Sequence, residues 1–175
     1  MSFSLPARTL VLGGASSGKS AFAEGLVTAT GRSRHYIATA QAFDDEMRAK
    51  IADHQAQRGP DWITHEAPFD LSAALVAGAG EVVLLDCATL WLSNALLADQ
   101  DMAAAQGTFL AAVRTCTAPL VIVSNEVGHG VVPDHKLGRV FRGAQGRLNQ
   151  ALAADCDLVV FVTAGLPQVL KGQLP

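Results

Sequence analysis

The sequence predicts an α/β fold, a mostly parallel sheet covered by helices on both faces, and three observations predict it. Continuous apolar runs recur at positions 9–12, 82–85, 120–123 and 158–162. They are too short for helices and lack the alternation of a half-exposed strand, as expected of strands buried on both faces. Helical patterns separate these runs, the arrangement that produces parallel strands with crossover helices. The first run also leads directly into a glycine-rich turn and then an Ala/Leu-rich helix.

Taken in order, Arg8–Gly13 is the first strand, and residues 19–30 form the helix after the glycine-rich turn. Residues 35–40 are a short strand. Residues 44–58 are helical, with Asp44 placed to cap the helix and Glu46 and Lys50 one turn apart as an ion pair. Trp62–Glu66 is a short strand, 70–77 a short helix and 81–86 a buried strand. Helices follow at 89–97 and 102–116, then a strand at 120–124 and a long helix at 136–154. Leu158–Thr163 is the final strand. No internal repeat, low-complexity tract or linker interrupts the chain, so residues 1–175 are expected to form one domain.

Composition limits the function. Apolar residues make up 50% of the 175 positions and charged residues 17%, which excludes a disordered chain. A net charge of −3 supplies no electrostatic footprint for nucleic acid or an acidic membrane. Cys87, Cys116 and Cys156 are widely spaced in apolar surroundings and read as buried thiols. The first residues lack the charged and apolar regions of a secretory leader, and no uncharged apolar stretch is long enough for a span. A cytoplasmic enzyme is expected.

The chemistry concentrates where strands end. Gly13, four further residues and then Gly18-Lys19-Ser20 form the phosphate-binding P-loop pattern, at a strand end and ahead of a helix as that motif requires. Glycine lets the backbone wrap a phosphate chain with its N–H groups inward, and the helix adds the positive end of its dipole. Gly13, Gly14, Ala15, Ser16, Ser17, Gly18, Lys19 and Ser20 are therefore expected to bind a nucleoside triphosphate. Lys19 would contact the β- and γ-phosphates and Ser20 would ligate Mg²⁺. The run Glu81-Val82-Val83-Leu84-Leu85-Asp86 has the form of the second nucleotide motif, with Asp86 either in the Mg²⁺ shell or capping the next helix.

Further along, Met47, Ile51, His54 and Arg58 share one helical face. His54 either closes the apolar stripe as a half-buried histidine or, beside a guanidinium that holds phosphate oxygens, acts as a nucleophile on phosphorus. The loop at 124–133 places Asn125, Glu126 and His129 at the ligand edge of the sheet, or is an ordinary turn. Arg139, Arg142 and Arg147 form a phosphate clamp or a solvated face. His35 and His65 read as structural, and His135 stands at a helix start.

These residues resemble the bifunctional adenosylcobinamide kinase / adenosylcobinamide-phosphate guanylyltransferase family of cobalamin biosynthesis. The resemblance runs nearly end to end, through 13–20, Tyr36-Ile37-Ala38-Thr39-Ala40, the spacing of His54, Arg58 and Trp62, Asp86-Cys87, and Ser124-Asn125-Glu126-Val127-Gly128. It implies a RecA-like P-loop fold, a homotrimer and two reactions. In one, ATP or GTP phosphorylates the aminopropanol hydroxyl of adenosylcobinamide. In the other, GTP passes GMP through a guanylyl-histidine to adenosylcobinamide phosphate, giving adenosylcobinamide-GDP and pyrophosphate. By resemblance His54 is the nucleophile and Lys19 catalytic. Nucleotide contacts carried over are Gly13 to Ser20, Ala38, Thr39, Ala40, Gln55, Ala56, Gln57, Arg58, Glu66 and Asp86, with Ser20 and Asp86 on Mg²⁺. The sequence departs from the family at Ser16, often Arg, at Ala88, commonly Leu, and at Gly143, usually Asp. Two alternatives differ in class: a single-activity small-molecule kinase, and a nucleotide-driven switch or assembly subunit.

Overall fold

The computed structural model describes residues 3–42 and 45–175, except for the side chains at 46, 50, 54 and 57. The strands are β1 (Arg8–Gly13), β2 (Arg34–Ala38), β3 (Trp62–Glu66), β4 (Val82–Asp86), β5 (Leu120–Asn125), β6 (Leu158–Thr163) and β7 (Leu166–Lys171). They form one seven-stranded sheet in the order β3-β2-β4-β5-β1-β6-β7. All neighbours pair in parallel except β6 and β7. The helices are α1 (Lys19–Thr28), α2 (Asp45–Arg58), α3 (Ser72–Ala77), α4 (Ala88–Leu97), α5 (Met102–Thr115) and α6 (Lys136–Asp155).

Because successive strand side chains point to opposite faces, each apolar run feeds two cores. Leu10, Val83, Leu85, Leu120 and Ile122 pack with Leu92 of α4, Phe109 and Val113 of α5, and Leu148 and Leu152 of α6. Val11, Leu84, Val121 and Val160 pack on the other face with Ala23, Leu26 and Val27 of α1. No described residue of α2 belongs to either cluster. The expected mostly parallel sheet with helices on both faces is the one observed.

Several expected boundaries move, each for a local reason. The first helix stops at Thr28, and Thr30 Oγ1 donates back to Val27 O at 2.7 Å. Strand β2 runs from Arg34 to Ala38 because Thr39 turns its hydroxyl onto the Cys87 peptide. Asp70 lies outside α3 and accepts the Ser72 N–H at 2.9 Å. The cap expected at Asp44 and the Glu46–Lys50 pair lie outside the described residues.

The expectation that β6 is the last strand is corrected. Ala164 and Gly165, at φ 53° and 77°, make a tight reversal, and Leu166–Lys171 returns antiparallel along β6. Pro167 in that run speaks against a central strand, but an edge strand tolerates it because one row of N–H groups is unpaired anyway.

The three cysteines are free, with Cys87 and Cys156 buried and Cys116 half-buried. Burial pushes the Cys87 and Cys156 thiols up to about 12. His35 and His65 stand on neighbouring strands, two positions apart in the register (His35 pairs with Ile63, His65 with Ile37), and place Nδ1 and Nε2 2.8 Å apart with rings 6° from parallel. Their structural reading holds. Among the described residues no helix is long and apolar enough to cross a membrane.

Candidate functional site

Strand β1 ends at Gly13, where an added Cβ would lie 2.7 Å from Val162 O. Only glycine allows the loop to leave the sheet this closely against β6. The loop closes with Ser17 N–H on Gly14 O, and Gly165 N–H donates to Ser17 O at 2.7 Å. Gly18 precedes α1 at φ 90°, a left-handed conformation that a side chain would strain. Lys19 Nζ folds back to donate to Gly14 O at 3.1 Å, which puts its ammonium over the mouth of the loop.

Beside the loop, the sheet register sets Gly13 against Asn125 and places Asp86 against Ala38 on one side and Val123 on the other. Asp86 therefore stands at the carboxyl edge two strands from the phosphate loop, where ligands of such sheets bind. It does not cap α4. Cys87 is the N-cap, its Sγ accepting the Leu90 N–H. The Asp86–Cys87 peptide is cis, and Thr39 Oγ1 bonds both the N–H and the C=O of Cys87, at 2.8 and 2.7 Å.

Asn125 is fixed from two directions. Its N–H donates to Thr89 Oγ1 at 2.7 Å, and its carbonyl accepts from Asn149 Nδ2 at 3.0 Å. Behind it, Gln145 Nε2 donates to Ser124 Oγ and Asn149 Oδ1, both at 2.9 Å, in a buried polar cluster between β5 and α6.

Tyr36 lies under this edge. Burial, then the Asp86 charge and a hydrogen bond with that carboxylate, raise its hydroxyl well above the ordinary tyrosine value, against the pull of Arg58. The Arg58 guanidinium carbon sits 3.4 Å from the Tyr36 ring centroid, a cation–π contact that ties the end of α2 to β2.

These groups surround a cleft of ≈ 300 Å³. Lys19 and Ser20 come from α1, Ala38 and Ala40 from β2 and its exit, Asp86 from β4, and Met47, Ile51, Gln55 and Arg58 from α2. Of the expected nucleotide residues, the cleft thus gathers Lys19, Ser20, Ala38, Ala40, Gln55, Arg58 and Asp86. Gly14, Ala15, Ser16 and Ser17 line a separate hollow beside the loop. Thr39 is buried beneath the cleft, and Ala56 and Glu66 are exposed, Glu66 at the end of β3. His54 lies in α2 next to Gln55. Its side chain and that of Gln57 lie outside the described residues.

Sequence reading left Tyr36 and Thr89 unassigned, although both line the cleft. Tyr36 was legible through the period of two that puts it on the face of Ala38. Thr89 carried no such signal, because its hydroxyl acts on a backbone group 36 residues away. Two of the three arginines of α6 serve the 124–133 loop and the residue after it. Arg142 donates to Gly128 O and Gly130 O, and Arg139 to Pro133 O and Asp134 O.

A parallel sheet, a glycine-rich loop at the end of β1 and an acidic residue at the end of β4 define a P-loop NTPase fold. Solved structures agree. The flagellar accessory protein FlaH from Methanocaldococcus jannaschii superposes with TM-score 0.52 at 10% identity, covering 95% of this chain and 79% of that one. A prototypical ATPase from the type III secretion system of pathogenic bacteria gives 0.59 at 8% identity, covering 91% of this chain and 51% of that one. These likenesses concern the fold alone.

Sequence comparison identifies the family. Residues 9–170 match the family model described as cobinamide kinase / cobinamide phosphate guanyltransferase. The bifunctional adenosylcobalamin biosynthesis protein CobP of Pseudomonas aeruginosa is 46% identical over 170 residues, 95% of this chain and 98% of that protein. The protein named CobU in Escherichia coli is 38% identical over 93% and 98%. The chain belongs to the cobinamide kinase / cobinamide phosphate guanyltransferase family of enzymes.

Proposed function

We propose that the 175 residues act as one catalytic unit that runs two reactions at one nucleotide site. In the first, the aminopropanol hydroxyl of adenosylcobinamide attacks the γ-phosphorus of ATP or GTP, and the nucleoside diphosphate leaves. In the second, a neutral His54 imidazole attacks the α-phosphorus of GTP and pyrophosphate leaves. The phosphate of adenosylcobinamide phosphate then displaces His54 from GMP, forming adenosylcobinamide-GDP. The observation that carries this reading is one cleft bringing Lys19, Ser20 and Asp86 together with Gln55 and Arg58, from the helix that also carries His54.

In this reading the residues at 13–20 hold the phosphate chain, and Lys19 neutralises charge on the transferring group. Arg58 faces the α-phosphate, with Ala38, Thr39, Ala40, Gln55, Ala56, Gln57 and Glu66 around the nucleoside. Ser20 and Asp86 are hard oxygen donors on the same cleft. This small set suits Mg²⁺, which takes one or two protein oxygens and completes its shell with phosphates and water. When bound, Mg²⁺ offsets phosphate charge. The homotrimer of the family is proposed too, supported by the exposed Leu166 and Leu170 of edge strand β7, and sedimentation velocity checks it.

The test is incubation with adenosylcobinamide, GTP and Mg²⁺, followed by mass analysis of corrinoid and protein. Expected are adenosylcobinamide phosphate, adenosylcobinamide-GDP and an acid-labile, base-stable GMP–protein adduct. His54→Ala should abolish adduct and GMP transfer while cobinamide phosphorylation persists, because the acceptor there is the substrate hydroxyl. An adduct surviving in His54→Ala places the nucleophile elsewhere.

A further inference from the structure

The phosphate loop borders a second cleft whose far wall, with Glu126, His129 and Thr163, has no part in the proposed function. The first takes its walls from α1, α2, the start of α4 and the ends of β2, β4 and β5, and the second, of ≈ 400 Å³, from the loops after β1, β5 and β6. Its walls include Gly14, Ser16, Ser17, Glu126, His129 and Thr163. Ser17 is 9% exposed, and its hydroxyl oxygen is buried with no hydrogen-bond partner among the described residues. It faces Gly13, where an added Cβ would meet it, and so keeps the loop close to the end of β1.

Glu126 is held against the mouth of the loop. Its N–H donates to Gly13 O at 3.0 Å, and its Oε1 accepts the Gly128 N–H. Arg142 donates to Gly128 O and Gly130 O and so braces the far side of the same turn. Among the described residues the second carboxylate oxygen of Glu126 takes no part in this bracing, and the residue lines the cleft. Adjacent residues thus serve different clefts, Asn125 the first and Glu126 the second. Lys19 also joins them, since it lines the first cleft and its Nζ lies 3.1 Å from Gly14 O in the wall of the second. A terminal phosphate held by Lys19 therefore sits where the two clefts meet.

We infer that the second cleft receives the alcohol to be phosphorylated and that Glu126 takes its proton. The inference rests on the kinase half of the proposed function. The alcohol oxygen bonds to the γ-phosphorus as its proton passes to the free carboxylate oxygen of Glu126. The bond from γ-phosphorus to the β,γ-bridging oxygen breaks, its electron pair leaving with the nucleoside diphosphate. Glu126 then returns the proton to water. His129, which packs against Phe161 at 6.2 Å between ring centroids, forms a wall beside the entering arm.

Glu126→Gln separates catalysis from bracing, because the amide oxygen still accepts the Gly128 N–H but the side chain no longer takes a proton. With adenosylcobinamide and GTP its kcat for phosphorylation should fall about a hundredfold, the lower range for a lost general base, and by no less than about tenfold. The KM for GTP and formation of the GMP–protein adduct should hold, which also shows that the variant is folded. Glu126→Asp, which keeps a carboxylate, should be faster than Glu126→Gln. Phosphorylation by Glu126→Gln within tenfold of the unmodified protein overturns the inference, as does an equal loss of adduct formation or an aspartate variant no faster than the glutamine one. If the unmodified protein forms the adduct but never phosphorylates adenosylcobinamide, the kinase reading fails and this inference fails with it.

Discussion

Lys19 is the residue on which both proposed reactions depend, because each begins from a triphosphate on the same loop. Its ammonium rests on Gly14 O, a neutral backbone acceptor that a phosphate oxygen would displace with a charge-assisted bond. Lys19→Ala should therefore abolish phosphorylation and guanylyl transfer while circular dichroism stays native. Losing such a contact to a transferring group costs on the order of 3 kcal/mol or more, about a hundredfold or greater in rate. Near-normal turnover by the folded variant would place the nucleotide elsewhere. Asp86 permits a cleaner test than the sequence alone suggested. Its alternative as a helix cap is removed by Cys87, which caps α4. Asp86→Asn should raise the Mg²⁺ concentration needed for half-maximal activity and slow turnover, and a metal titration unchanged from the native protein excludes Asp86 from the Mg²⁺ shell. Residues of this kind are legible in sequence because they stand at fixed offsets from glycines and strand ends. The clamp on Asn125 is not, since it joins Thr89, Ser124, Gln145 and Asn149 through contacts that no local spacing encodes.

Among the elements, strands β2 and β3 meet through a titratable pair. Burial, then the neighbouring His35 charge, hold His65 below the ordinary histidine value. A base with a lowered native pKa binds protons more readily when unfolded, so stability rises with pH across its titration. The contribution is fully present above the unfolded value near 6.5 and is lost as pH falls through it towards the native one. The urea midpoint should decline between about pH 7 and pH 5, and His65→Gln should flatten that decline. A slope unchanged in the variant would assign it to other groups. The same two strands show why elements were easier to place than their ends. The runs in β1, β4, β5 and β6 carry enough buried Val, Leu and Ile to declare themselves. Their termini depend on single side chains turning inward, as Thr39 does beyond β2. Strand β7 was missed because Pro167 weakens its pattern and its six residues are all exposed, so no buried run marks it.

For the whole molecule, order along the chain translated readily into architecture because helices alternate with buried strands, and parallel strands require such crossovers. What the pattern left open is which loops meet, since strand order places β1 between β5 and β6 and thereby gives the phosphate loop two flanks. Both flanks gather loops, helix residues and strand ends at the carboxyl edge of the sheet, and nucleotide binding there should stabilise the fold by mass action. A ligand that binds only the native state at a hundred times its dissociation constant adds about 2.7 kcal/mol. In a chain of this size about 1 kcal/mol moves Tm by roughly 2–4 °C, so GTP with Mg²⁺ should raise Tm by about 5–11 °C. The measurement belongs on His54→Ala, where the proposed covalent step cannot drain the ligand, with calorimetry at several GTP concentrations. Lys19→Ala should lose most of the shift, because the loop keeps its backbone donors but not its cation. Asp86→Asn should lose only the part that depends on Mg²⁺. An equal rise in all three proteins would mean that GTP binds away from the β1 loop.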